Sequence, residues 1–541
     1  MNPRAANATT LGVLASAVLL VCPLAHAAEA AGAPKRPNIL LIISDDIGMD
    51  ATSDMYPGLI DSLTKLYGPS GRNHPDYLQI RGRTASTPVL NGISRSGMRF
   101  TQTWVQPFCS PTRASILTGL YAAKTGMLDY TNYLSQNHHS FVKDLKEKGG
   151  YGTAVFGKWH IAGLNQYPGM RPKEAGFDLY RGNLNGAVSE YWNWEYHEQD
   201  ESSAAGQWRT SKAPVRSIPG VAPTTYAPVV NAADAIAWIR EQESKSPDKP
   251  WFVWLAFNLA HITEKQQPNP MAVPNVDTLD EVSRKEMESC GGNFGSANAG
   301  RCTDKQLMRA MTNSLDTITG KVLDVVDSID RNTYVIYIGD NGTWMMGPPN
   351  RDFIDNLYIT RTGRSKGTVY ESGAHVPLVI RGPGIRAGSL SDVPVHGVDL
   401  FATLLDLAGI AVPKMVPNKT GDGQVPVDSV SLAPVLFKGA KRLRDPARDY
   451  LLTETINPIK RNLKQVGARN GRYKLVCDEK AEAANCTFYD LQGDPLEEYP
   501  LDKPASCAGY EAGTLKPSAA GWNFCRLMEV VAKQSFLAAG S

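Results

Sequence analysis

The chain has 541 residues, of which 42% are hydrophobic and 20% are charged, and its formal net charge at pH 7 is +2. These proportions are typical of a globular protein with a sizeable core, and the small net charge gives no reason to expect a nucleic-acid-binding or membrane-binding surface. A chain of this length forms either several domains or one large α/β unit with smaller additions.

The first 27 residues have the pattern of a cleaved export signal. MNPRAANATTLGVLASAVLLVCPLAHA begins with a basic residue, continues with a short apolar run and ends in Ala-His-Ala. The apolar run is shorter than the roughly 20 residues needed to span a bilayer, and no later stretch is long enough either. Cys22 follows Leu20 and Val21 rather than the small residues of a lipoprotein signal. We therefore expect a periplasmic or secreted protein with no stable membrane anchor.

Short apolar runs bounded by polar or turn residues recur along the rest of the chain, with helix-like stretches between them. This pattern is typical of a parallel sheet whose two faces are covered by helices. The sequence thus predicts an α/β fold with a large, mostly parallel sheet. The candidate strands are NILLII (38–43), TAVF (153–156), WFVWLAF (251–257), TYVIYI (333–338) and VPLVI (376–380).

Polar side chains follow the first four of these candidate strands. In an open α/β sheet, ligands bind beyond the carboxyl ends of the strands. We therefore expect the four strand ends to converge on one crevice. The polar residues concerned are Asp45 and Asp46, Lys158 and His160, Asn258 and His261, and Asp340 and Asn341.

Three connections are longer than usual and rich in Pro, Gly, Asn and Ser, so we predict that 51–95, 164–225 and 264–305 are insertions around the site. The second contains EYWNWEYHEQ (190–199), which carries four aromatic residues. Two interpretations of these aromatic residues stay open. They either pack a large loop, which is the favoured interpretation, or form a wall that stacks on a substrate ring.

The character of the sequence changes near residues 440–448, where a basic, Pro-containing stretch is followed by the strand-like YLLTET. This change predicts a catalytic domain over residues 36–440 and a smaller α+β domain with an antiparallel sheet over residues 446–541.

The cysteine count fits an oxidising compartment. Two of the eight cysteines are set apart, Cys22 in the export signal and Cys109 in a motif described below. The other six lie in polar, Gly-rich or C-terminal stretches, as expected for disulfides. Spacing favours Cys290 with Cys302 and leaves three possible pairings for the last four, among which we favour Cys477 with Cys486 and Cys507 with Cys525.

Oxygen ligands are paired at the ends of two predicted strands. SDDIG contains Asp45 and Asp46, and GDNG contains Asp340 and Asn341. Adjacent carboxylates repel each other unless a cation or a proton joins them. A set of ligands with oxygen atoms only suits calcium or magnesium better than zinc. Either pair alone would more often be a cap or a turn, but their matching positions predict a metal site.

Basic side chains are expected in the same crevice. GYGTAVFGKWHIAG contains Lys158 and His160, SKGTVYESGAHVP contains Lys366, and Arg113 and His261 join them. Such a cluster can bind a tetrahedral oxyanion and disperse the charge that develops on a leaving group.

The stretch PFCSPTRASILTG (107–119) predicts a helix that begins at Cys109. Pro111 suits the first helical turn, and the backbone N–H groups of a helix N-terminus favour an anion at Cys109. Arg113, one turn further on, is expected on the same side of the helix. We expect Cys109 to be exposed there. A thiolate could act as an ordinary nucleophile, but no companion base precedes it and sulfur is a poor ligand for a hard metal.

These motifs resemble those of the type I sulfatases, a formylglycine-dependent, arylsulfatase-like family of the alkaline-phosphatase-like superfamily. Residues 107–119 match the family's C-x-P-x-R signature, and GYGTAVFGKWHIAG resembles its second signature, GYxTxxxGKWHLG. The DD, GDNG and KGxxYExG stretches follow in the family's order, and FYDLQGDPLEE (488–498) resembles its YDLxxDPxE element. The resemblance covers about residues 36–410 and implies an alkaline-phosphatase-like fold.

The resemblance also implies a chemical modification. In this family a formylglycine-generating system oxidises the motif cysteine to Cα-formylglycine before export, so Cys109 would become an aldehyde. Its hydrate carries two hydroxyls on one carbon. One attacks the sulfate ester, and the other, once deprotonated, expels sulfate by C–O cleavage, so that water need not attack sulfur a second time. The implied activity is hydrolysis of sulfate monoesters of aryl alcohols or carbohydrates.

The resemblance gives a role to each candidate residue. Arg113 and Lys158 would hold and polarise the hydrated aldehyde, and His160 would be the base for elimination. Lys366 and His261 would bind the sulfate and assist the leaving alkoxide or phenoxide. One calcium ion would be bound by Asp45, Asp46, the modified Cys109, Asp340 and Asn341.

Two positions depart from the family's pattern. NLAHIT lacks the proline that usually precedes the histidine corresponding to His261, and His375 stands where the family often has arginine. His375 would then either alter the sulfate contacts or pack within the protein. The alternative functions are a phosphate or phosphonate monoester hydrolase of the same superfamily and a non-catalytic carbohydrate-binding relative.

Overall fold

The computed structural model describes residues 35–538 except 82, 164–165, 205, 266–270, 345–356, 360–363 and 445–448. The predicted export signal over residues 1–27 lies outside the described residues. The predicted boundary near residues 440–448 lies partly outside them, and the division into two domains stays a prediction. Within the described part of the chain, no helix is both long and apolar enough to cross a bilayer.

The strands, in chain order, are β1 (Asn38–Ser44), β2 (Met98–Phe100), β3 (Thr103–Trp104), β4 (Gly152–Lys158), β5 (Leu179–Asn183), β6 (Glu195–Gln199), β7 (Arg209–Lys212), β8 (Arg216–Ile218), β9 (Val221–Thr224), β10 (Trp251–Ala256), β11 (Thr333–Gly339), β12 (Leu378–Arg381), β13 (Ser389–Ser391), β14 (Val395–His396), β15 (Met415–Pro417), β16 (Gln424–Pro426), β17 (Leu451–Asn457), β18 (Leu463–Arg469), β19 (Tyr473–Asp478) and β20 (Cys486–Asp490). The helices are α1 (Leu59–Tyr67), α2 (Pro88–Ser96), α3 (Cys109–Thr118), α4 (Ala122–Thr125), α5 (Phe141–Gly149), α6 (Ala227–Lys245), α7 (Glu281–Cys290), α8 (Asp304–Ile329), α9 (Glu371–Ala374), α10 (Leu400–Leu407), α11 (Ala433–Lys438), α12 (Ala508–Glu511) and α13 (Ala520–Gln534).

A mixed ten-stranded sheet is the largest sheet of the described residues, with the strand order β13-β2-β12-β11-β1-β10-β4-β5-β6-β7. The central strands β11, β1, β10 and β4 are parallel neighbours and are buried along their whole length. They contain the first four predicted strands. The fifth prediction became β12, which pairs antiparallel with β11. The predicted large, mixed and mostly parallel sheet is confirmed.

Helices cover both faces of this sheet, which explains why its strands are apolar throughout. Leu40 and Ile42 of β1 belong to an apolar cluster with α6 and α8 on one face. Ile39, Leu41 and Ile43 belong to a cluster with α3, α5 and α10 on the other face. The side chains of β1 therefore alternate between two cores.

The stretch 164–225 is more regular than the predicted insertion. It supplies β5, β6 and β7, which extend the sheet beyond β4, and the β8–β9 pair. These strands are short and β7 is exposed, so they lack the apolar runs by which the other strands were recognised. They form because the edge of β4 offers unpaired backbone groups to β5, a tertiary effect that outweighs weak local propensity.

The C-terminal part contains the predicted smaller antiparallel sheet, in the order β17-β18-β19-β20. Helix α13 packs on it through an apolar cluster that includes Phe488 and Phe524. The predicted disulfides are all present: Cys290–Cys302, Cys477–Cys486 and Cys507–Cys525. Among the described residues, Cys109 is the one cysteine outside a disulfide.

Candidate active site

The carboxyl ends of β11, β1, β10 and β4 lie side by side, so the side chains that follow them reach the same edge of the sheet. Helix α3 brings Cys109 and Arg113 to this edge, and the segment before α9 brings Lys366. The contacts of the predicted site residues form three groups: Cys109 with His160; Arg113, Lys158, Asp45 and Asp340; and Asp46, His261, Lys366 and Asn341. The backbone N–H of Asp46 donates to Asp340 Oδ1 and joins the last two groups, and ligand atoms of Cys109, Asp45 and Asp340 lie within 4.8 Å of one another. Asn258 instead donates a hydrogen bond to Asn183, at 3.0 Å.

Each buried aspartate of the site is paired with one basic side chain. The Lys158 Nζ atom lies 2.6 Å from Asp45 Oδ2, and Arg113 Nη2 lies 2.7 Å from Asp340 Oδ2. Lys366 Nζ donates to Asp46 Oδ1. These side chains are almost completely shielded from solvent, and because the three aspartates face three basic side chains, their formal charges balance.

Three further oxygen atoms of the site have no hydrogen-bond partner among the described residues. These buried atoms are Asp45 Oδ1, Asp46 Oδ2 and Asn341 Oδ1. Buried acceptors of this kind are costly unless they bind a cation, a donor or ordered water. Ligand atoms of Asp45, Cys109 and Asp340 lie within 4.8 Å of one another, as do those of Asp45, Asp46 and His261. The residues present therefore fit a hard divalent cation, which prefers carboxylate and amide oxygens.

The pKa values of the two adjacent aspartates are shifted in opposite directions. Burial, with the nearby charges of Asp340 and Asp46, raises the pKa of Asp45 well above its usual range despite its contact with Lys158. Burial also acts to raise the pKa of Asp46, but the charges of Lys366 and His261 outweigh it and lower that pKa to about 2. Asp45 is thus the carboxylate with the least compensated charge, which a bound cation would offset.

Cys109 begins helix α3 as predicted, but it is buried, with 1% of its surface exposed. The expected exposure is therefore wrong, because the strand-end loops cover this end of the helix. Its Sγ atom lies 3.1 Å from His160 Nδ1. The sequence motif showed no base next to Cys109, because His160 is supplied by the end of β4, 51 residues away.

His160 is held in one orientation. Its Nε2 atom lies 3.1 Å from the carbonyl oxygen of Tyr130, a geometry in which Nε2–H donates and Nδ1 carries a lone pair towards residue 109. Its backbone has a left-handed φ of 57°, which is uncommon for a residue with a side chain. Burial, and then the charges of Lys158 and Arg113, lower its pKa well below the usual value, so the ring is neutral.

A cavity of about 230 Å³ opens above Cys109. Its inner wall contains Cys109, His160, His261 and Lys366. The sequence analysis did not identify the other side chains that line the cavity. These are Tyr130, Asn185, Ala187, Glu264 and Trp344. Trp344 and Glu264 lie within three residues of Asn341 and His261, and this proximity to a motif was the one signal by which the sequence could have indicated them.

Two residue groups considered in the sequence analysis do not line this cavity. His375 stacks on Trp104 with ring centroids 4.9 Å apart, and its Nε2 atom lies 2.9 Å from the carbonyl oxygen of Thr101. It packs within the protein and does not contact the predicted sulfate site. In segment 190–199, Tyr191, Trp194 and Tyr196 are buried in the core, which confirms the packing interpretation.

Comparison with known proteins agrees with this geometry. The sulfatase family model matches residues 37–410. The chain belongs to the sulfatase family. This membership places it in the alkaline-phosphatase-like superfamily and makes it a sulfuric ester hydrolase, so the interpretation as a non-catalytic relative is wrong.

Curated sulfatases match this sulfatase over most of its length. It is 26% identical to the N-acetylgalactosamine-6-sulfatase of Canis lupus familiaris over 463 residues, which are 82% of this chain and 73% of the relative. It is 25% identical to the choline-sulfatase of Rhizobium meliloti (strain 1021), with 85% and 81% covered. It is 24% identical to the arylsulfatase K of Homo sapiens, with 90% and 83% covered.

Solved structures share its fold. A protein crystallised with its substrate D-glucosamine-2-N,6-O-disulfate aligns with a TM-score of 0.60 and 21% identity, over 93% of this chain and 98% of that one. The PsFucS1 sulfatase from Pseudoalteromonas sp. aligns with a TM-score of 0.57 and 18% identity, over 92% and 91%.

Proposed function

We propose that this sulfatase hydrolyses sulfate monoesters of aryl alcohols or carbohydrates, with formylglycine formed from Cys109 and one Ca²⁺ ion in the active site. The observation that carries the proposal is that three buried oxygen atoms, of Asp45, Asp46 and Asn341, have no hydrogen-bond partner among the described residues. They belong to a cluster in which ligand atoms of Asp45, Asp340 and Cys109 lie within 4.8 Å of one another, and Cys109 lines a cavity that also contains Lys366. The names of the relatives, which include sulfatases of a sugar and an arylsulfatase, support these substrate classes.

The ion would be held by Asp45, Asp46, Asp340, Asn341 and residue 109. When bound, it supplies positive charge that polarises the sulfate oxygens. Together with Arg113, Lys158 and Lys366, the ion would bring the formal charge of the site to about +2 against the three aspartates, and this charge attracts a sulfate monoester.

Arg113 and Lys158 are fixed next to residue 109 by the carboxylates they contact. Arg113 donates to Asp340 and to the carbonyl oxygen of Lys158, and Lys158 donates to Asp45. Because both cations are held before the substrate arrives, they can stabilise negative charge at residue 109 without reorganisation.

His160 is placed to accept a proton from residue 109. Its Nδ1 atom faces that residue, and its Nε2–H group is occupied by the carbonyl oxygen of Tyr130. Formylglycine, once hydrated, would offer two hydroxyls on one carbon, and loss of a proton from one of them to His160 would favour release of the sulfate.

Lys366 and His261 would bind the sulfate group and the leaving oxygen. Burial acts to lower the pKa of Lys366, but the charge of Asp46 outweighs it and the pKa rises, so the ammonium stays charged and can donate to the departing alkoxide or phenoxide. His261 places its Nδ1 atom 2.6 Å from the carbonyl oxygen of Ile262, and its Nε2 atom is on the side of Asp46.

Export to the periplasm or the exterior is also part of the proposal. Three disulfides support an oxidising compartment, and residues 1–27 have the pattern of an export signal. A formylglycine-generating system would have to act on Cys109 before folding buries it.

The activity test compares four kinds of ester as substrates of the protein, which is produced together with a formylglycine-generating system. We expect turnover of 4-nitrophenyl sulfate and of at least one sulfated sugar to exceed that of 4-nitrophenyl phosphate and phosphonate esters. Faster turnover of a phosphate or phosphonate monoester would contradict the proposal and favour the alternative hydrolase.

The same preparation tests the role of Cys109. The peptide that contains residue 109 should be about 18 Da lighter than its thiol form. Cys109→Ala should lower kcat by at least about 10⁴-fold, since the reacting group is lost, while far-UV circular dichroism stays native. An active protein whose Cys109 is wholly unmodified would exclude formylglycine.

A further inference from the structure

One carboxylate lies in the outer wall of the active-site cavity. Among the described residues that line it, Glu264 is the single acidic side chain, and Lys366 is the permanent cation. The other side chains outside the catalytic group that line the cavity are apolar or neutral: Tyr130, Asn185, Ala187 and Trp344. A negative charge at this place requires an explanation, because the substrate of a sulfatase is itself an anion.

Glu264 forms no ion pair with the part of the chain that the structure describes, and a backbone hydrogen bond helps to fix its position. Its N–H group donates to the carbonyl oxygen of Val188, at 3.0 Å. The adjacent basic residue does not neutralise it, since the Nζ atom of Lys265 contacts the carboxylate of Glu190. Partial burial, and then the charge of Glu195, raise the pKa of Glu264 above its usual value. Glu264 is an exposed residue, so its carboxylate is in contact with solvent and is accessible to a substrate group in the cavity.

Trp344, which also lines the cavity, lies close to the catalytic residues Lys366 and His261. The Nζ atom of Lys366 lies 4.9 Å from the centroid of the Trp344 ring, and the His261 ring is 6.0 Å from the same ring. A substrate whose sulfate is held by Lys366 therefore has its alcohol moiety in the cavity that Trp344 and Glu264 also line. A cationic or hydrogen-bond-donating group on that moiety would offset the charge of Glu264, whereas a further anionic group would be repelled.

We propose, on the basis of the function proposed above, that Glu264 selects sulfate esters whose alcohol moiety carries a hydrogen-bond donor, most effectively an ammonium group, near the esterified oxygen. Glu264 acts here on substrate choice and not on the chemical step. Its carboxylate favours a donor and disfavours a second sulfate or a carboxylate at that place.

The test uses phenyl sulfates that differ in one substituent. The 3- and 4-aminomethyl esters are compared with the 3- and 4-methyl esters of similar size and with the 3- and 4-carboxy esters. For at least one ring position, we expect the wild-type kcat/KM for the aminomethyl ester to exceed that for the methyl ester by about three- to fivefold, as for one exposed charge pair. The carboxy ester should be the poorest of the three.

Variants separate the carboxylate from the rest of the cavity. Glu264→Gln should reduce the aminomethyl-to-methyl ratio of kcat/KM to less than about twofold, and Glu264→Lys should reverse the preference towards the carboxy ester. Glu195→Gln is the matched control, because Glu195 is near enough to affect Glu264 but does not line the cavity. Glu195→Gln should retain most of the preference for the aminomethyl ester over the methyl ester.

The outcomes distinguish this inference from the proposed function. If the wild type hydrolyses all the esters with equal kcat/KM, or if Glu264→Gln leaves the aminomethyl-to-methyl ratio of kcat/KM unchanged, Glu264 does not select the substrate. The proposed sulfatase function would still stand. If no sulfate ester in this panel or among sulfated sugars is hydrolysed, the proposed function itself fails.

Discussion

Two clusters of buried charges lie in this protein, and they differ in what they leave unsatisfied. The active-site cluster consists of Asp45, Asp46, Asp340, Lys158, Lys366 and Arg113. The junction cluster, between α9 and the C-terminal sheet, consists of Glu371, Glu497, Lys474 and Arg469. Both pair equal numbers of acidic and basic side chains and both are shielded from solvent.

In the junction cluster, the carboxylate oxygens have partners within the protein. Lys474 Nζ lies 2.8 Å from Glu371 Oε1 and 2.7 Å from Glu497 Oε1. The indole N–H of Trp104 also donates to Glu371, and Glu497 Oε2 accepts the backbone N–H of Glu371 at 2.8 Å. Glu497 belongs to the FYDLQGDPLEE stretch, and it thereby ties that stretch to α9, which begins five residues after Lys366.

The comparison shows that balanced charge does not by itself distinguish a ligand site from a structural network. The active-site cluster differs because Asp45 Oδ1, Asp46 Oδ2 and Oδ1 of the adjacent Asn341 form no hydrogen bond with the described residues. In the junction cluster the carboxylate oxygen without a hydrogen bond, Glu497 Oε1, is compensated by Lys474 Nζ at 2.7 Å. A buried charge cluster whose oxygen atoms all have donors nearby stabilises the fold. A cluster with several oxygen atoms that lack a donor is suited to bind a cation.

Removal of the metal should give the largest difference between the clusters. After dialysis against a chelator, we expect the activity on 4-nitrophenyl sulfate to fall by more than about 100-fold, because the site loses two positive charges. Thermal unfolding should occur at a lower temperature, since a ligand present at 100 times its Kd contributes about 2.7 kcal/mol. Added Ca²⁺ should restore both, and a stripped protein with full activity and an unchanged unfolding temperature would exclude a metal in this cluster.

Loss of a cation from the junction cluster should affect stability more than chemistry. Lys474→Met leaves Glu371 and Glu497 without their shared partner, and the free energy of unfolding should fall by about 3–5 kcal/mol. Denaturant unfolding measures this change. The kcat of the molecules that stay folded should fall less than about tenfold, because Lys474 does not contact the cavity.

Lys480→Met is the matched control, because Lys480 follows the same strand but is exposed and 3.9 Å from Glu482. It should change the free energy of unfolding by less than about 0.5 kcal/mol. A loss of catalysis without a loss of stability in Lys474→Met would mean that the junction cluster takes part in the reaction.

A small displacement in the active-site cluster should have a smaller but measurable effect. A Cβ atom at Gly186 would lie 2.5 Å from Cε1 of His160, so Gly186→Ala must displace the imidazole from its position beside residue 109. We expect kcat to fall by about 10- to 100-fold, as is usual when a catalytic group is misplaced by less than 1 Å. Steady-state kinetics with 4-nitrophenyl sulfate measures the effect.

Gly471→Ala is the control near the junction cluster, where a Cβ atom would come no closer than 3.9 Å to Pro394. It should leave kcat and stability near the wild-type values. If Gly186→Ala also leaves kcat unchanged, His160 does not need the orientation described above.

Most of the fold was predictable because its central strands are encoded locally. Runs such as NILLII and TYVIYI are apolar enough to indicate strands buried on both faces, and the rule for strand ends then placed Asp45, Lys158, His261 and Asp340 in one crevice. The residues from 164 to 225 were harder to predict, because strands such as β7 are polar and form only against an existing sheet edge.

The sequence by itself determined the chemistry that is available: two oxygen-rich pairs, the basic side chains and a cysteine at a helix N-terminus, all in contiguous motifs. Only the tertiary structure decided that His160 lies next to Cys109, that Glu264 and Trp344 line the cavity, and that His375 and the aromatic residues of 190–199 pack elsewhere. The physical reason is the distance along the chain over which the interactions act. Motifs depend on neighbours along the chain, whereas contacts, burial and unpartnered atoms depend on loops that meet after folding.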